Sequence, residues 1–275
     1  MIGARVGVTI GSRIGVAVGV SSDPLAPPAG GGGGIPGVTR DATNLNYYPA
    51  NATEWTALMS AAGLATGNPS SVWPAQEPSG ALADSIGAIS LAVTGAAFAY
   101  QAAITGATRK GVKGTDGAVN SALLNNTTAP NPAATSTLQL AYLDVPAAPA
   151  AVRGIMSSTA SGGLFRWNIT GTMRIVSGAT TDGAVSVAST RGWFAVRSNI
   201  TASTVTVFSP AEKVVGTYAL PGAGAFTNVG GANGAASPAA AIGYAYVCQF
   251  TGAAAELSDA QLKTLMQTLG GVVLW

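Results

Sequence analysis

From about Ser71 onward the chain is a succession of short runs of β-branched, aromatic and small apolar residues, each closed by a turn signal. Ser136-Thr-Leu-Gln-Leu-Ala-Tyr-Leu-Asp-Val145 and Ile242 to Phe250 are the longest runs. Val72-Trp73, Ala88 to Thr94, Ala151 to Met156, Leu164 to Ile169, Thr172 to Val176, Trp193 to Ser198, Ser203 to Phe208 and Val214 to Leu220 complete the series. Ser161-Gly-Gly163, Thr181-Asp-Gly183 and Pro221-Gly222 punctuate it as turns. A strand cannot stand alone in water, because its apolar face and its backbone edges need partners. Many short strands with regular turns therefore predict an all-β, two-sheet antiparallel sandwich.

Two segments read as helices. Asn51 to Gly63 places Trp55, Leu58, Met59 and Ala62 on one face, with Asn51 or Thr53 as the cap and Gly63 as the stop. Leu257 to Gly270 carries Leu262, Leu265, Met266 and Leu269 as its buried stripe. There Ser258 and Gln261 stand at capping-box spacing. Both helices are expected at the periphery of the sandwich. The apolar tail ending in Trp275 is expected to dock on a sheet or a neighbour.

A last core strand followed by a Leu-Ser-Asp-Ala-Gln helix start, at 257 to 261, resembles the closing signature of LamG-like, concanavalin A-like jelly rolls. Gln261 stands where that family often has a glutamate. Glu77 to Leu91 is similar to the family's entry into its first strand, an acidic residue and small loop followed by Asp, Ser, Gly and a strand. The resemblance spans roughly residues 70 to 270. It implies a jelly-roll fold, and a role of the kind such domains have in bacteriophage structural proteins.

The first twenty residues repeat: Ile2-Gly-Ala-Arg-Val-Gly-Val8 recurs as Ile10-Gly-Ser-Arg-Ile-Gly-Val16. As a helix, the glycines at 3, 7, 11, 15 and 19 would line one face but cost about 1 kcal/mol each relative to alanine. As a strand, one face carries Ile2, Val6, Val8, Ile10, Ile14, Val16 and Val18, and the other carries Arg5, Arg13 and the glycines. The strand reading is preferred, since β-branched residues favour strands. Residues 21 to 50 follow as a Gly/Pro-rich linker, and residues 51 to 275 form the jelly-roll domain. The apolar face needs cover, either from the chain's own sandwich or from other subunits. Separation by the linker favours pairing between subunits in a homo-oligomer, a trimer among the candidates.

The composition narrows the chemistry. Charged residues make up 9% of the chain, well below the roughly one quarter of an average chain. The net charge is +2 with its cations scattered, so nucleic acid is not expected as a partner. The single cysteine, Cys248, sits in a strand pattern and reads as buried and inert. The apolar residues 2 to 20 contain Arg5 and Arg13, which argues against a membrane span or an export signal.

No histidine is present, the acids stand apart, and no Gly-Lys-Ser/Thr follows a glycine-rich turn. The sequence thus reads as that of a protein that is no enzyme and needs no cofactor. Asp84, Asp116 and Asp182 are loop acids of the kind calcium uses, but isolated loop aspartates more often shape turns, so no metal is expected. Trp167 and Trp193 read as core; Tyr47, Tyr48 and Trp73 are the candidate glycan-contacting rings. The leading expectation is a subunit of an assembled particle, a phage virion decoration, head-fibre or tail-associated protein. It would be assembled in a host cytoplasm among sister subunits and other virion proteins, anchored by residues 2 to 20. The alternative is a carbohydrate-binding, lectin-like surface or receptor-binding module.

Overall fold

The computed structural model describes residues 46–64, 67–94, 98–114, 122–124, 136–145, 153–157, 164–167, 173–177, 180–185, 191–199, 201–202, 204–217, 228–229, 242–270, 273 and 275. The anchor residues Ile2, Arg5, Val6, Val8, Ile10, Arg13, Ile14, Val16 and Val18 lie outside them, as does the linker to residue 45. The described chain begins with helix α1 (Ala52–Ala61) and strands β1 (Ser71–Trp73), β2 (Ala92–Thr94), β3 (Phe98–Ala103), β4 (Lys110–Gly114) and β5 (Ala122–Leu124). It continues through β6 (Ser136–Asp144), β7 (Arg153–Ser157), β8 (Leu164–Trp167), β9 (Met173–Ser177) and β10 (Thr180–Val185). The last elements are β11 (Arg191–Asn199), β12 (Thr204–Phe208), β13 (Lys213–Thr217), β14 (Asn228–Val229), β15 (Gly243–Thr251) and helix α2 (Asp259–Thr268).

These strands form the all-β sandwich that the sequence predicts. An 8-stranded sheet runs β13-β12-β11-β6-β15-β4-β3, with β1 also paired to β15; a 7-stranded sheet runs β10-β9-β8-β7-β14-β5-β2. All the pairings described are antiparallel. Among the described residues no helix is long and apolar enough to cross a membrane.

The 8-stranded sheet is covered on both faces. Its inner face packs Ala141 and Leu143 of β6, Phe194 and Val196 of β11, and Val205 and Val207 of β12 toward Ile155 of the second sheet. The Tyr244 hydroxyl crosses between the sheets to donate to the Ile155 carbonyl at 3.1 Å. Its outer face packs Leu138, Leu140 and Tyr142, with Trp193 and Phe208, against Trp55, Leu58 and Met59 of α1 and Leu262, Leu265 and Met266 of α2. Alternating side chains on a strand point to opposite faces. Burial of both faces explains why β6 and β15 show continuous burial rather than a polar–apolar alternation. In β15 a register shift between Tyr244 and Tyr246 changes the phase, so Tyr244 and Val247 face inward while Ala245, Tyr246 and Cys248 face outward. Cys248 is buried, as read from the sequence.

The helices take the places expected of them. Asn51 accepts the Glu54 N–H at 3.0 Å as the α1 cap. The Ser258–Gln261 capping box starts α2. The tail docks as expected of it, with the Trp275 ring 5.1 Å from that of Phe208 and its Nε1 donating to the Ser209 carbonyl at 2.8 Å.

Three local expectations need correction. Thr181-Asp-Gly183, read as a turn, lies inside β10, where the register shifts between Thr181 and Ala184 and absorbs the glycine as a bulge. The run Ala88 to Thr94 is strand only from Ala92, apart from a bridge between Leu82 and Leu91. The cause is Asp84, whose Oδ1 accepts the N–H groups of Val72, Ile86 and Gly87 at 3.0, 3.1 and 2.8 Å and holds the loop away from a ladder. Asp84 is thus the turn former that the sequence favoured over a calcium ligand; Asp116 lies outside the described residues. Strands β3 and β4 went unread. Gln101 in β3 has φ +52°, at a register shift that hides the alternation, and β4 contains two glycines.

Candidate functional site

The candidate site lies on the outer face, where β11, β6, β15 and β4 end together. Register puts Arg191 opposite Asp144 and Trp193 opposite Tyr142 across β11 and β6. Gly243 of β15 is opposite Asp144 on one side and Lys113 of β4 on the other. The row across the sheet therefore reads Arg191, Asp144, Gly243, Lys113. The turn between β3 and β4 folds over this row: the Thr105 N–H donates to Asp144 Oδ2 at 3.1 Å. Gly106, at φ +76°, leaves space that a Cβ would not, since that atom would lie 2.7 Å from the Tyr142 hydroxyl and 3.6 Å from Cδ of Arg191.

The segment that precedes α1 completes the corner. Asn46 donates from Nδ2 to the Gly106 carbonyl at 3.3 Å, and its Oδ1 accepts the Trp193 indole N–H at 3.2 Å. Tyr48 sits among three rings, 5.9 Å from Tyr142, 5.6 Å from Trp193 and 5.9 Å from Tyr246, centroid to centroid. The Arg109 guanidinium lies 5.0 Å over the Tyr48 ring and donates to the Pro74 carbonyl at 2.6 Å. Behind the cluster, the buried Tyr246 hydroxyl accepts the Trp55 indole N–H at 2.9 Å and donates to the Pro49 carbonyl. Residues 46–50 are thereby clamped to the sheet.

The electrostatics follow from burial. The Tyr142 hydroxyl is pushed up to about 12 by burial, with Asp144 adding to the rise and Arg191 opposing it. Burial likewise raises Tyr48, with Tyr142 adding and Arg109 opposing. The Arg109 guanidinium is lowered by burial, which the Tyr246 and Tyr48 hydroxyls counter. At neutral pH the corner therefore holds neutral phenols beside the Arg109 guanidinium, and the Asp144 side chain accepts the Thr105 N–H.

Of the three candidate glycan-contacting rings, the fold brings Tyr48 into this corner and uses Tyr47 beside it. The Tyr47 hydroxyl donates to Glu54 at 3.1 Å and its N–H to the Leu269 carbonyl at 2.8 Å, so Tyr47 ties both helices to the segment. Trp73 is corrected: it is 1% exposed, in the inner core, with its indole N–H donating to the Ile89 carbonyl at 2.7 Å. A ring enclosed between the sheets cannot stack on a ligand. Trp193 is core, as expected. Sequence reasoning missed Asn46, Arg109, Tyr142, Asp144 and Arg191. The one available signal was Arg109-Lys110-Gly-Val-Lys113, the densest cationic run of the chain. Among the described residues no group of three or more His, Cys, Asp or Glu is placed to hold a metal ion.

No protein-family model matches the chain, and no curated protein matches it in sequence. Solved structures match it in fold. A mutant of Trypanosoma rangeli sialidase displaying trans-sialidase activity aligns at 12% identity with a TM-score of 0.54, over 78% of this chain and 36% of that one. Trypanosoma rangeli sialidase in complex with sialic acid aligns at 12% identity and 0.54, over 74% and 33%. The binding domain of botulinum neurotoxin DC in complex with rat synaptotagmin II aligns at 12% identity and 0.50, over 73% and 52%. The chain spans about a third of the length of the sialidases. At these identities the likeness is one of fold. It nonetheless corrects the expectation that the protein is no enzyme: enzymes are among the proteins that contain this fold, so the sandwich does not set the chain apart from them.

Proposed function

We propose that the sandwich is a carbohydrate-binding module whose contact surface is the corner around Tyr48. The observation that carries this reading is the convergence of a half-buried ring with Asn46, Asp144, Arg109 and Arg191 at one sheet end. Binding sites combine apolar surface with a few placed polar groups. A half-buried ring cluster offers apolar surface for the C–H groups of a sugar, and amide, carboxylate and guanidinium groups fix its hydroxyls. Supporting it, one protein of similar fold is described as a sialidase in complex with sialic acid. The test is a glycan array probed with the full chain and with Asn46→Ala and Arg191→Ala variants. The expected result is binding to a subset of glycans, weakened about tenfold or more by each change, with the melting temperature unchanged for Arg191→Ala and lowered for Asn46→Ala, which leaves the Trp193 indole N–H without its acceptor. An intact chain that binds no glycan overturns the reading.

A second reading makes the protein a subunit of an assembled particle, a phage virion among the candidates, with residues 2 to 20 adding strands to sister subunits. The observation that favours it is the repeat itself, with its face of Ile and Val interrupted only by Ala4 and Ser12. The two readings are compatible in a receptor-binding surface subunit. Sedimentation of the full chain against a chain lacking residues 1 to 20 tests the second: the full chain is expected as an oligomer and the shortened one as a monomer. A monomeric full chain refutes it.

A further inference from the structure

We infer that the ligand of this corner is an anionic glycan, bearing a carboxylate or sulfate group, an inference that rests on the carbohydrate-binding reading. The strand order brings the distant Arg191 to the cationic run at residues 109–113. Arg191 of β11, Lys113 of β4 and Arg109 of the preceding turn come to the same end of the outer face, across the β11-β6-β15-β4 order. Two carboxylates accompany them, Asp144 in the row and Glu77 beside Arg109. Both already accept backbone N–H groups, Asp144 from Thr105 at 3.1 Å and Glu77 from Ala83 at 2.7 Å. Three cations thus lie beside Asp144, Glu77 and, on the α1 side, Glu54, whose carboxylate accepts the Ala50 N–H and the Tyr47 hydroxyl, so the carboxylates of the corner are engaged by donors of the protein itself.

The cations are also held for use. Arg109 is oriented by the Pro74 carbonyl at one end of its guanidinium and by the Tyr48 ring below its plane. A preoriented guanidinium loses less side-chain freedom on binding and forms stronger, charge-assisted hydrogen bonds to an anion than to a neutral hydroxyl. The stem of Arg191 lies along the Gly106 turn beside the Tyr142 hydroxyl, and Arg191 is itself exposed. A sugar that meets the Arg109 guanidinium above Tyr48 would bring its substituents within reach of groups that favour negative charge. Neutral sugars would leave these cations without a new partner.

The experiment is an array on which the same glycan backbones are displayed neutral, carboxylated and sulfated, probed with the full chain at low and at raised salt. Binding confined to the charged forms, weakened by salt and reduced about tenfold by Arg191→Gln, supports the inference. The carboxylated and sulfated arms identify which anion is read. Arg109→Gln is a second probe; should it lower stability, the exposed Arg191→Gln variant and the salt series still report on the same charge. Equal or stronger binding to the neutral forms overturns the anionic inference and leaves the carbohydrate reading standing. No binding to any form overturns both.

Discussion

At the scale of single residues, the sheet contains buried polar side chains that no described residue satisfies. Gln139 and Gln249 stand opposite one another on β6 and β15, and Ser71 of β1 extends the row across a third strand. All three are essentially buried, yet Oε1 of Gln139, both amide atoms of Gln249 and Oγ of Ser71 have no hydrogen-bond partner among the described residues. A buried polar atom left unpaired costs about 1–3 kcal/mol, while replacing both members of a pair with apolar groups of the same shape is neutral or stabilising. Gln139→Met combined with Gln249→Met is therefore expected to raise stability by about 1–3 kcal/mol, read by calorimetry as a higher melting temperature. Gly111 makes the opposite case. A Cβ there would lie 2.1 Å from the Tyr244 carbonyl oxygen and 2.9 Å from Cα of Ala245, both of them backbone that cannot swing aside. Gly111→Ala should part β4 from β15 and cost about 2 kcal/mol or more, seen as a lower denaturant midpoint.

At the scale of elements, α2 shows how a short helix is held at a sheet. Ser258 Oγ accepts the Gln261 N–H at 3.2 Å, and Gln261 Oε1 accepts the Ser258 N–H at 2.8 Å. Each bond satisfies a group that the helix start would otherwise leave open. Ser258→Ala removes one of them and is expected to cost about 1 kcal/mol in chemical denaturation. One residue on, Asp259 binds Arg197 of β11 at 2.8 Å and Lys213 of β13, pinning the helix start to two strands. Burial alone would raise this carboxyl, but the two cations hold it below its ordinary value of 3.8. Because the folded value is depressed, the stabilisation is present above the ordinary aspartate range and is lost as pH falls through the folded value. The side chain is 38% exposed, so water screens the pair and the contribution is below about 1 kcal/mol. Asp259→Asn should then lower the melting temperature slightly at neutral pH, and the gap between variant and parent should close in acid.

At the scale of the whole molecule, the outer-face aromatic cluster and the inter-sheet Tyr244 make the fold sensitive to alkali. Tyr48, Tyr142, Tyr244 and Tyr246 all have hydroxyls raised above the ordinary 10.0, with burial as the leading cause. The folded state keeps these phenols protonated where the unfolded state would release them. Their contribution is complete below about pH 10 and is lost as pH rises toward and through the folded values, the lowest of which is about 12 for Tyr142. Denaturation midpoints are expected to be level up to about pH 10 and to fall above it. Phenolate absorbance should lag behind that of free tyrosine until the chain unfolds. A normal tyrosine titration in a folded chain would contradict the packing around Tyr48.

What could be read along the chain is what depends on near neighbours. Asn51, Ser258 and Gln261 cap because their side chains reach backbone only a few residues away, and α1 and α2 follow from apolar spacing within each segment. β6 and β15 are long enough for burial to mark them without their partners. Strand pairing is another matter, since it joins residues distant in sequence. β3 and β4 are strands because Gly111 can approach the Tyr244 carbonyl closely and because Gln101 accepts a left-handed backbone, neither of which shows in a local pattern. Trp73 is enclosed because β1 adds to β15, where its ring meets the second sheet's side of the core. The corner around Tyr48 exists because the order β11-β6-β15-β4 sets Arg191, Asp144 and Lys113 in one row, and no spacing along the chain records that order. Propensity and capping act over a few residues and are written locally; sheet order is a free-energy choice among distant edges, made only when the whole core closes.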